Sequence, residues 1–499
     1  MKLARRSFLR RWGPAVVLPA LFAAGCKAVG PDYDPPGAAV PATWREEAGS
    51  GLAEGAAELA RWWKRLGDPV LDDLVERAIS QGLDLRAALA HVLEARALRG
   101  AAAGERYPVL DAALSYEHRR ESENTPFGGF AADTDIHSAG FDASWEIDLW
   151  GRVRRSVEAA DAELGASIEN ARDVAVTVAA ETALAYVELR AFQTRAAIAR
   201  TNVSLQEQTL EIVRARFESG LVSERDVAQA ATNVEITRSR VPALEVGLRA
   251  AENRLAVLLG LPPGALAAEL AEPRPVPLPG IELAVGVPAD LLRRRADVRR
   301  AERALAAEVA RIGVAEAELY PQLTLAGSLG LASDGASKLL EGDSGTHAIG
   351  PSIRWNLFDG GRLRNRVRAQ DARAAQAYVA WERTVLAALE EAENAMTVFV
   401  REQARRRSLG QAANQARRAV ELAQTEYREG LSDFQAVLDS ERTLAALEDD
   451  LAVSDAAITT SMVALCKALG GGFEHEPFAS AIAAVELDSP PGSRRAGAP

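Results

Sequence analysis

The residue best placed for covalent chemistry is a cysteine. Cys26 closes the run Leu21-Phe22-Ala23-Ala24-Gly25. That run resembles a bacterial lipobox, a motif whose cysteine thiol takes lipid and becomes the mature first residue; Ala23 stands where leucine is usual. Before it lie a basic stretch, MKLARRSFLRR, and an apolar one, GPAVVLPALFAAG, too short to span a bilayer. This is the pattern of a secretory signal over 1–25. ARRSFLRR also resembles a twin-arginine export signal. One lipid signal anchors weakly, so stable residence requires more acyl chains or a spanning element. Little else looks reactive. The second cysteine, Cys466 in SMVALCKALGG, reads as a small packing residue. With Cys26 lipidated, no disulfide framework exists. The histidines His91, His118, His137, His347 and His475 are scattered. No metal-ligand spacing, nucleophile elbow or phosphate-binding glycine loop occurs. No metal, no cofactor and no enzymatic activity are expected. The net charge of −12 argues against nucleic acid.

The remaining chemistry is that of faces, and faces depend on the elements that present them. The chain of 499 residues is 48% apolar but only 5% aromatic, which favours close-packed, alanine-rich helices. No segment after the signal has 18 uninterrupted apolar residues, so a membrane anchor must be lipid or β-structure. Residues 26–61 are rich in Pro, Gly and Ala and read as an irregular linker. Residues 62–105 carry Leu71, Leu74, Ala78 and then Leu83, Leu85, Leu89 and Leu93 at helical spacings. The period then becomes two. Leu110, Ala112, Leu114 and Tyr116 alternate with Asp111, Ala113, Ser115 and Glu117, and after a polar loop Phe141, Ala143, Trp145, Ile147 and Leu149 alternate with Asp142, Ser144, Glu146 and Asp148. Strands are expected at about 109–118 and 140–149. From Arg152 to Ser219 no proline occurs, which predicts a helix of about 100 Å. Gly220 ends it, and a return helix over 223–259 is expected to kink at Pro242.

The same order recurs. Strands are expected at about 322–331 and 348–357, a second long helix from Arg362 to Glu429, a turn at Gly430 and a return helix to Leu469. The two turn glycines stand 430 − 220 = 210 residues apart. The repeats span 62–271 and 272–472, and 473–499 reads as a disordered tail.

Four strands of about ten residues have bilayer-crossing length. Trp145, Trp150 and Trp355 lie near their ends, where an aromatic girdle belongs. Four strands cannot close a barrel, and an open edge in hydrocarbon leaves costly unpaired backbone groups. A dimer's eight strands enclose an interior filled by side chains; a trimer's twelve leave a pore. The expected class is α+β: a trimeric, twelve-stranded transmembrane β-barrel continuous with an α-helical coiled-coil tunnel.

Particular stretches carry a resemblance. CKAVGPDYDPP, ARWWKRLGDPVLDDLVERAI, SWEIDLWGRVRRSVEAA, GVPADLLRRRADVRRAERALAAEVARIGVAEAELYPQLTL, ENRLAVLLGLPPG and ALGGG together resemble the TolC-like outer-membrane efflux protein family, in its lipoprotein branch. Ala296 stands where that family usually has proline. The resemblance implies a lipid-anchored outer-membrane homotrimer with a periplasmic extension. It implies passive export of drugs or other small molecules, with a periplasmic adaptor and an inner-membrane pump of the resistance-nodulation-division type as partners. It makes RFESGLVSERDVAQA and EYREGLSDFQAVLDSERTL the two hairpin tips at the periplasmic entrance. Gly220, Leu221, Val222, Ser223, Gly430, Leu431 and Ser432 are then the surface an adaptor grips, with the side chains exposed. Asp226 and Tyr427 match a pair that latches the entrance, through a Tyr427 hydroxyl to Asp226 carboxylate hydrogen bond. Asp439 matches an aspartate ring; the other ring position is Ala436. Such a ring binds cations and disfavours small anions. The same duct in type I protein secretion would differ only in partner and cargo. A lipid-anchored periplasmic scaffold fits the lipobox and the helices, but four amphipathic strands oppose it.

Overall fold

The computed structural model describes residues 28–46, 52–53, 59–120, 122, 124, 133–280, 283–286, 288–289 and 294–473. The signal, Cys26 and the tail from 474 lie outside them. The described residues divide into two compact units, one within Met1–Pro36, Glu94–Gly165 and Glu302–Ala380, the other within Gly37–Leu93, Ala166–Ala301 and Trp381–Pro499. Each unit draws on both sequence repeats.

The first unit holds the sheet. Its strands are β2 (Val109–Arg119), β3 (Thr134–Ile147), β5 (Gln322–Ser333) and β6 (Gly345–Arg354), antiparallel throughout in the order β2-β3-β5-β6. Register makes the two faces unlike. Ala112, Phe141, Leu329 and His347 are aligned partners across the four strands, and Trp145, Leu325 and Pro351 across three. On the other face the rows are Asp111, Asp142, Ser328 and Ala348, then Ala113, Gly140, Gly330 and Thr346. The apolar face is uncovered: Leu114 is 82%, Leu329 66% and Ile349 81% exposed. Nothing among the described residues pairs with the outer edges of β2 and β6.

Two strands are displaced from their expected limits, 140–149 and 348–357. β3 begins at Thr134 because Arg119 of β2 pairs with it, and it stops at Ile147. The stop is chemical. The Asp148 carboxylate accepts from the amides of Val153 (3.2 Å) and Arg154 (2.9 Å) and so caps the long helix α3 (Arg152–Glu218). Asp148 is thus a helix cap, not a wet strand position. Asp359 does the same before α6 (Arg362–Glu429), accepting from Gly361 and Leu363 at 2.9 and 2.8 Å. The Leu363 amide leads in holding the Asp359 carboxyl below its ordinary value. Trp150 and Trp355 consequently fall outside the strands. The three indoles share one use: Trp145, Trp150 and Trp355 donate to the carbonyls of Arg106, Pro321 and Leu319 at 2.9, 2.8 and 3.1 Å, where the chain enters β2 and β5. Trp150 also stacks on Tyr320, centroids 4.7 Å apart.

The described part of the linker has fixed partners. Val29 N donates to Trp150 O at 2.9 Å, and the buried Arg155 holds the carbonyls of Val29 and Gly30 and the Asp32 carboxylate. In the second unit, β1 (Leu52–Ala53) pairs in parallel with β4 (Leu283–Ala284), and Trp44 Nε1 donates to Gly286 O at 3.0 Å. The described linker residues lack regular structure apart from β1 and are strapped down by these partners.

The second unit is helical: α1 (Pro69–Gln81), the start of α2 (Leu83–Gly104), most of α3, α4 (Glu224–Leu258), the start of α5 (Ala296–Ala317), most of α6, and α7 (Phe434–Ala468). Small side chains pack it, with Ala171, Ala175, Ala179 and Ala183 fully buried. α4 runs on through Pro242 without interruption. Asp68 caps α1 through Val70 N at 2.9 Å and accepts from the buried Tyr186 hydroxyl at 2.5 Å. Cys466 is wholly buried, and burial pushes its thiol up to about 12, as suits an inert packing residue.

Candidate functional site: the paired hairpin turns

Both hairpin turns lie in the second unit and are built alike. Gly220 and Gly430 take φ of +73° and +77°, the left-handed region where a side chain is strained. Leu221 N reaches back to Arg216 O (2.9 Å) and Leu431 N to Glu426 O (2.8 Å), which closes each helix in a Schellman turn. The next helix starts three residues later, at Glu224 and at Phe434. Ser223 N and Oγ donate to the Asp226 carboxylate at 3.0 and 2.8 Å, and Asp433 accepts from Ala436 N at 3.1 Å.

One core joins the two hairpins. Leu210 and Val213 of α3, Ala230 and Val234 of α4, Ala423 and Tyr427 of α6, and Phe434, Val437 and Leu438 of α7 form a single buried cluster. Leu221 and Leu431 stand at the tips, 66% and 75% exposed. Ser223 is exposed and Ser432 half-buried. Val222, expected to be exposed, is instead half-buried against the shared core; an apolar side chain next to a ready core gains more inside than out.

The expected hydrogen bond from Tyr427 to Asp226 is not made. Asp226 is engaged by Ser223, satisfying the α4 N-terminus. The Tyr427 hydroxyl is buried with no hydrogen-bond partner among the described residues. Burial raises its pKa, Arg216 opposes the shift and Asp226 adds to it. What grips Tyr427 is Arg216, whose guanidinium lies 4.5 Å over the ring and whose Nη1 donates to the Tyr427 carbonyl. Phe434 packs on the ring, centroids 5.8 Å apart. Asp439 lies exposed on α7 and accepts from Gln435 Nε2 at 2.9 Å.

Two residues further on, Glu441 points inward. It is buried and accepts from Thr209 Oγ1 (2.7 Å) and Gln424 Nε2 (3.1 Å). The adjacent Arg442 is turned to Asn233 at 3.1 Å, so both donors to Glu441 are neutral. Burial pushes the carboxyl above its ordinary 4.5, and the two hydrogen bonds oppose only in part. A raised folded value stabilises the fold at low pH, and that contribution is lost as pH rises through the folded value. Glu441→Gln keeps the shape and removes the buried charge. It is expected to stabilise the turn region by about 1–3 kcal/mol at neutral pH, and not near pH 4. Hydrogen exchange of the helices around Thr209 and Glu441, followed against pH, reads this; parallel profiles for the two proteins would contradict it.

Neither Arg216 nor Glu441 was marked by sequence spacing. The available signal was asymmetry: 210 residues after Arg216 stands Glu426, and 210 after Phe217 stands Tyr427.

Comparison places this arrangement among known proteins. The family model "Outer membrane efflux protein" matches residues 74–261 and 287–471. Nodulation protein T of Rhizobium leguminosarum bv. trifolii is 31% identical over 453 residues, covering 91% of this chain and 96% of that protein. The pyoverdine export outer membrane protein OpmQ of Pseudomonas aeruginosa is 32% identical over 446 residues, covering 88% and 93%. Among solved structures, the outer-membrane channel OprN superposes with a TM-score of 0.84 at 35% identity, over 90% of this chain and 100% of that one. The open state of the Neisseria gonorrhoeae MtrE outer membrane channel gives 0.77 at 25% identity, over 89% and 98%. The uncovered amphipathic sheet, the very long helices and the paired turns are therefore those of an outer-membrane channel of an efflux pump, and the chain belongs to the outer membrane efflux protein family.

Proposed function

We propose that three copies of the chain close their sheets into one twelve-stranded barrel, and that the channel passively exports small molecules delivered by an inner-membrane pump of the resistance-nodulation-division type through a periplasmic adaptor. The observation that carries this is the sheet itself. Four strands present an exposed apolar face, an opposite face of small and polar residues, and two edges unpaired among the described residues. In hydrocarbon such edges must be satisfied by further strands. Relatives named for pyoverdine export and toluene efflux support small organic cargo.

Adaptor contact falls to Leu221, Leu431, Ser223 and Ser432 around the Gly220 and Gly430 turns, with Val222 supporting from beneath. Asp439 lines the entrance as a ring of three carboxylates, which repel by roughly 1 kcal/mol per pair at about 4 Å in bulk water and favour cations. Trp145, Trp150 and Trp355 mark the periplasmic interface of the membrane. Cys26 carries the lipid; it stands three residues before Val29, whose amide donates to the Trp150 carbonyl. No cofactor or metal takes part in this duct. The test is the native mass of protein extracted from outer membranes in mild detergent. A particle of three chains is expected; a monomer, or release without detergent, would overturn the reading.

A further inference from the structure

The helices that adjoin the sheet in the first unit line a hollow. α2 and α5 lead into β2 and β5, and α3 and α6 follow β3 and β6, so the strand order sets the helix order α2, α3, α5, α6. Side chains bridge each neighbouring pair: Arg99 reaches Asp161 at 2.7 Å, Arg311 reaches Glu163, and Arg366 reaches Glu318 at 3.1 Å. All four helices border one space of about 710 Å³. Helices standing in a row share one hollow only where the row is concave.

The N-terminal strap lies on the opposite face of α5. Tyr33 Oη donates to Glu302 at 3.5 Å, and a Cβ on Gly313 would meet the Val29 carbonyl oxygen at 2.8 Å. Arg311 and Ala315, two residues to either side of Gly313, stand about half a turn round the helix and border the hollow. A chain anchored by lipid at Cys26 starts outside the barrel. The strap is then on the outer wall and the hollow on the inner one.

Charge in the hollow is unbalanced. Arg311 is paired with Glu163 and Glu308, and Arg366 with Glu318. Arg373 is exposed, donates to the Gln370 side-chain oxygen at 3.3 Å, and makes no ion pair among the described residues. Burial, and then the Arg373 charge, lower the Arg311 pKa despite its carboxylate partners. Helix stability does not account for these cations. Arg362, Arg364, Arg366 and Arg368 crowd the first two turns of α6, with no acid in the first turn, where the helix dipole opposes positive charge. Beside the arginines the lining is apolar, with Leu98, Val314, Ala315 and Ala369.

We infer that this hollow is a resting site on the export path for cargo that carries a carboxylate on an apolar body, with the Arg373 guanidinium taking the carboxylate. The inference rests on the channel reading above and narrows its cargo. A guanidinium fork meets a carboxylate in two parallel hydrogen bonds, which a neutral amide cannot match. The space has the size of a site for a small organic molecule. Binding there is weak by necessity, since a conducting path must release what it holds.

The test follows benzoate by saturation-transfer NMR on purified full-length protein in lipid nanodiscs, with benzamide and inorganic phosphate as comparison ligands. Benzoate is expected to bind about tenfold more tightly than benzamide, which lacks the charge, and than phosphate, which lacks the apolar body. Arg373→Gln is expected to weaken benzoate about tenfold, the scale of one charge-assisted contact, and Arg373→Lys to recover part of the loss. Arg368→Gln removes a cation of the same helix that does not border the hollow and is expected to bind as the wild type. Ala369→Trp fills the hollow, keeps every charge and is expected to abolish binding, which keeps the inference testable if Arg373→Gln assembles poorly. Equal binding of benzoate and benzamide would overturn the inference, as would equal loss in Arg368→Gln and Arg373→Gln. In planar bilayers benzoate should lower the open-channel current of the wild type and not that of Arg373→Gln. Binding without any effect on current would place the hollow off the path and overturn its role in export. The titration does not depend on assembly, so a native mass other than three chains would instead overturn the channel reading.

Discussion

Leu329→Arg is expected to keep the protein out of the outer membrane, while Ser328→Arg, one residue away, leaves it assembled. Leu329 stands mid-strand between Phe141 and His347 on the apolar face. An arginine facing lipid near the midplane costs about 2–4 kcal/mol, and three copies make that roughly 6–12 kcal/mol in one particle. Ser328 stands between Asp142 and Ala348 on the opposite face, where an arginine meets water and a carboxylate. Alternation is strict in a strand, so neighbouring positions test opposite environments with the same side chain. Outer-membrane fractionation, with the heat-sensitive mobility of the assembled particle, separates the outcomes. If both variants assemble, or both fail, the assignment of the two faces is wrong.

The second large effect is expected at the turns. Replacing Leu221 and Leu431 by aspartate together should abolish pump-coupled export and leave channel conductance unchanged. Both side chains are exposed beyond the Schellman turns. Burying one leucine against a partner contributes about 1.5–3 kcal/mol. Losing both therefore removes roughly 3–6 kcal/mol per chain, a factor of about 10²–10⁴ in affinity. Neither leucine belongs to the shared core, so the turn should keep its shape. Drug accumulation in cells that depend on this channel would rise to the level of a deletion strain. Export at the wild-type rate would move the docking surface elsewhere. A fall in conductance would mean that the turn itself had been damaged.

Much of this architecture was legible because it rests on period. Leu110 to Tyr116 and Phe141 to Ile147 alternate, and the observed register puts them on one face. The long helices were legible from the want of proline. The first runs from Arg152 to Glu218, one residue short of the expected Ser219, and the second from Arg362 to Glu429 as the sequence predicts. The turn glycines were legible because few other residues accept a positive φ.

The remainder lay in contacts that spacing does not encode. Asp148 continues the alternation of β3, yet its carboxylate serves the first amides of α3; only the folded turn decides between those uses. β3 extends back to Thr134 because β2 supplies partners there, and a partner strand is invisible to local period. Arg216 and Tyr427 are 211 residues apart, and Arg216 looks like any charged residue on a helix rich in them. The expected bond between Tyr427 and Asp226 failed for a related reason. Helix α4 needs a cap, and Asp226 is the nearest carboxylate able to complete it.

The polar face of the sheet has a pharmacological consequence. Its two middle rows hold Asp111, Asp142, Ser328 and Ala348, then Ala113, Gly140, Gly330 and Thr346, with no side chain longer than aspartate. A blocking compound lodged against such a wall would find shallow relief and scattered single contacts, whereas tight ligands occupy concave sites that bury most of their surface. Chemists seeking to silence the channel would do better at the turns, where a single compound wedged beside Leu221 or Leu431 would compete with the adaptor docking proposed for those side chains.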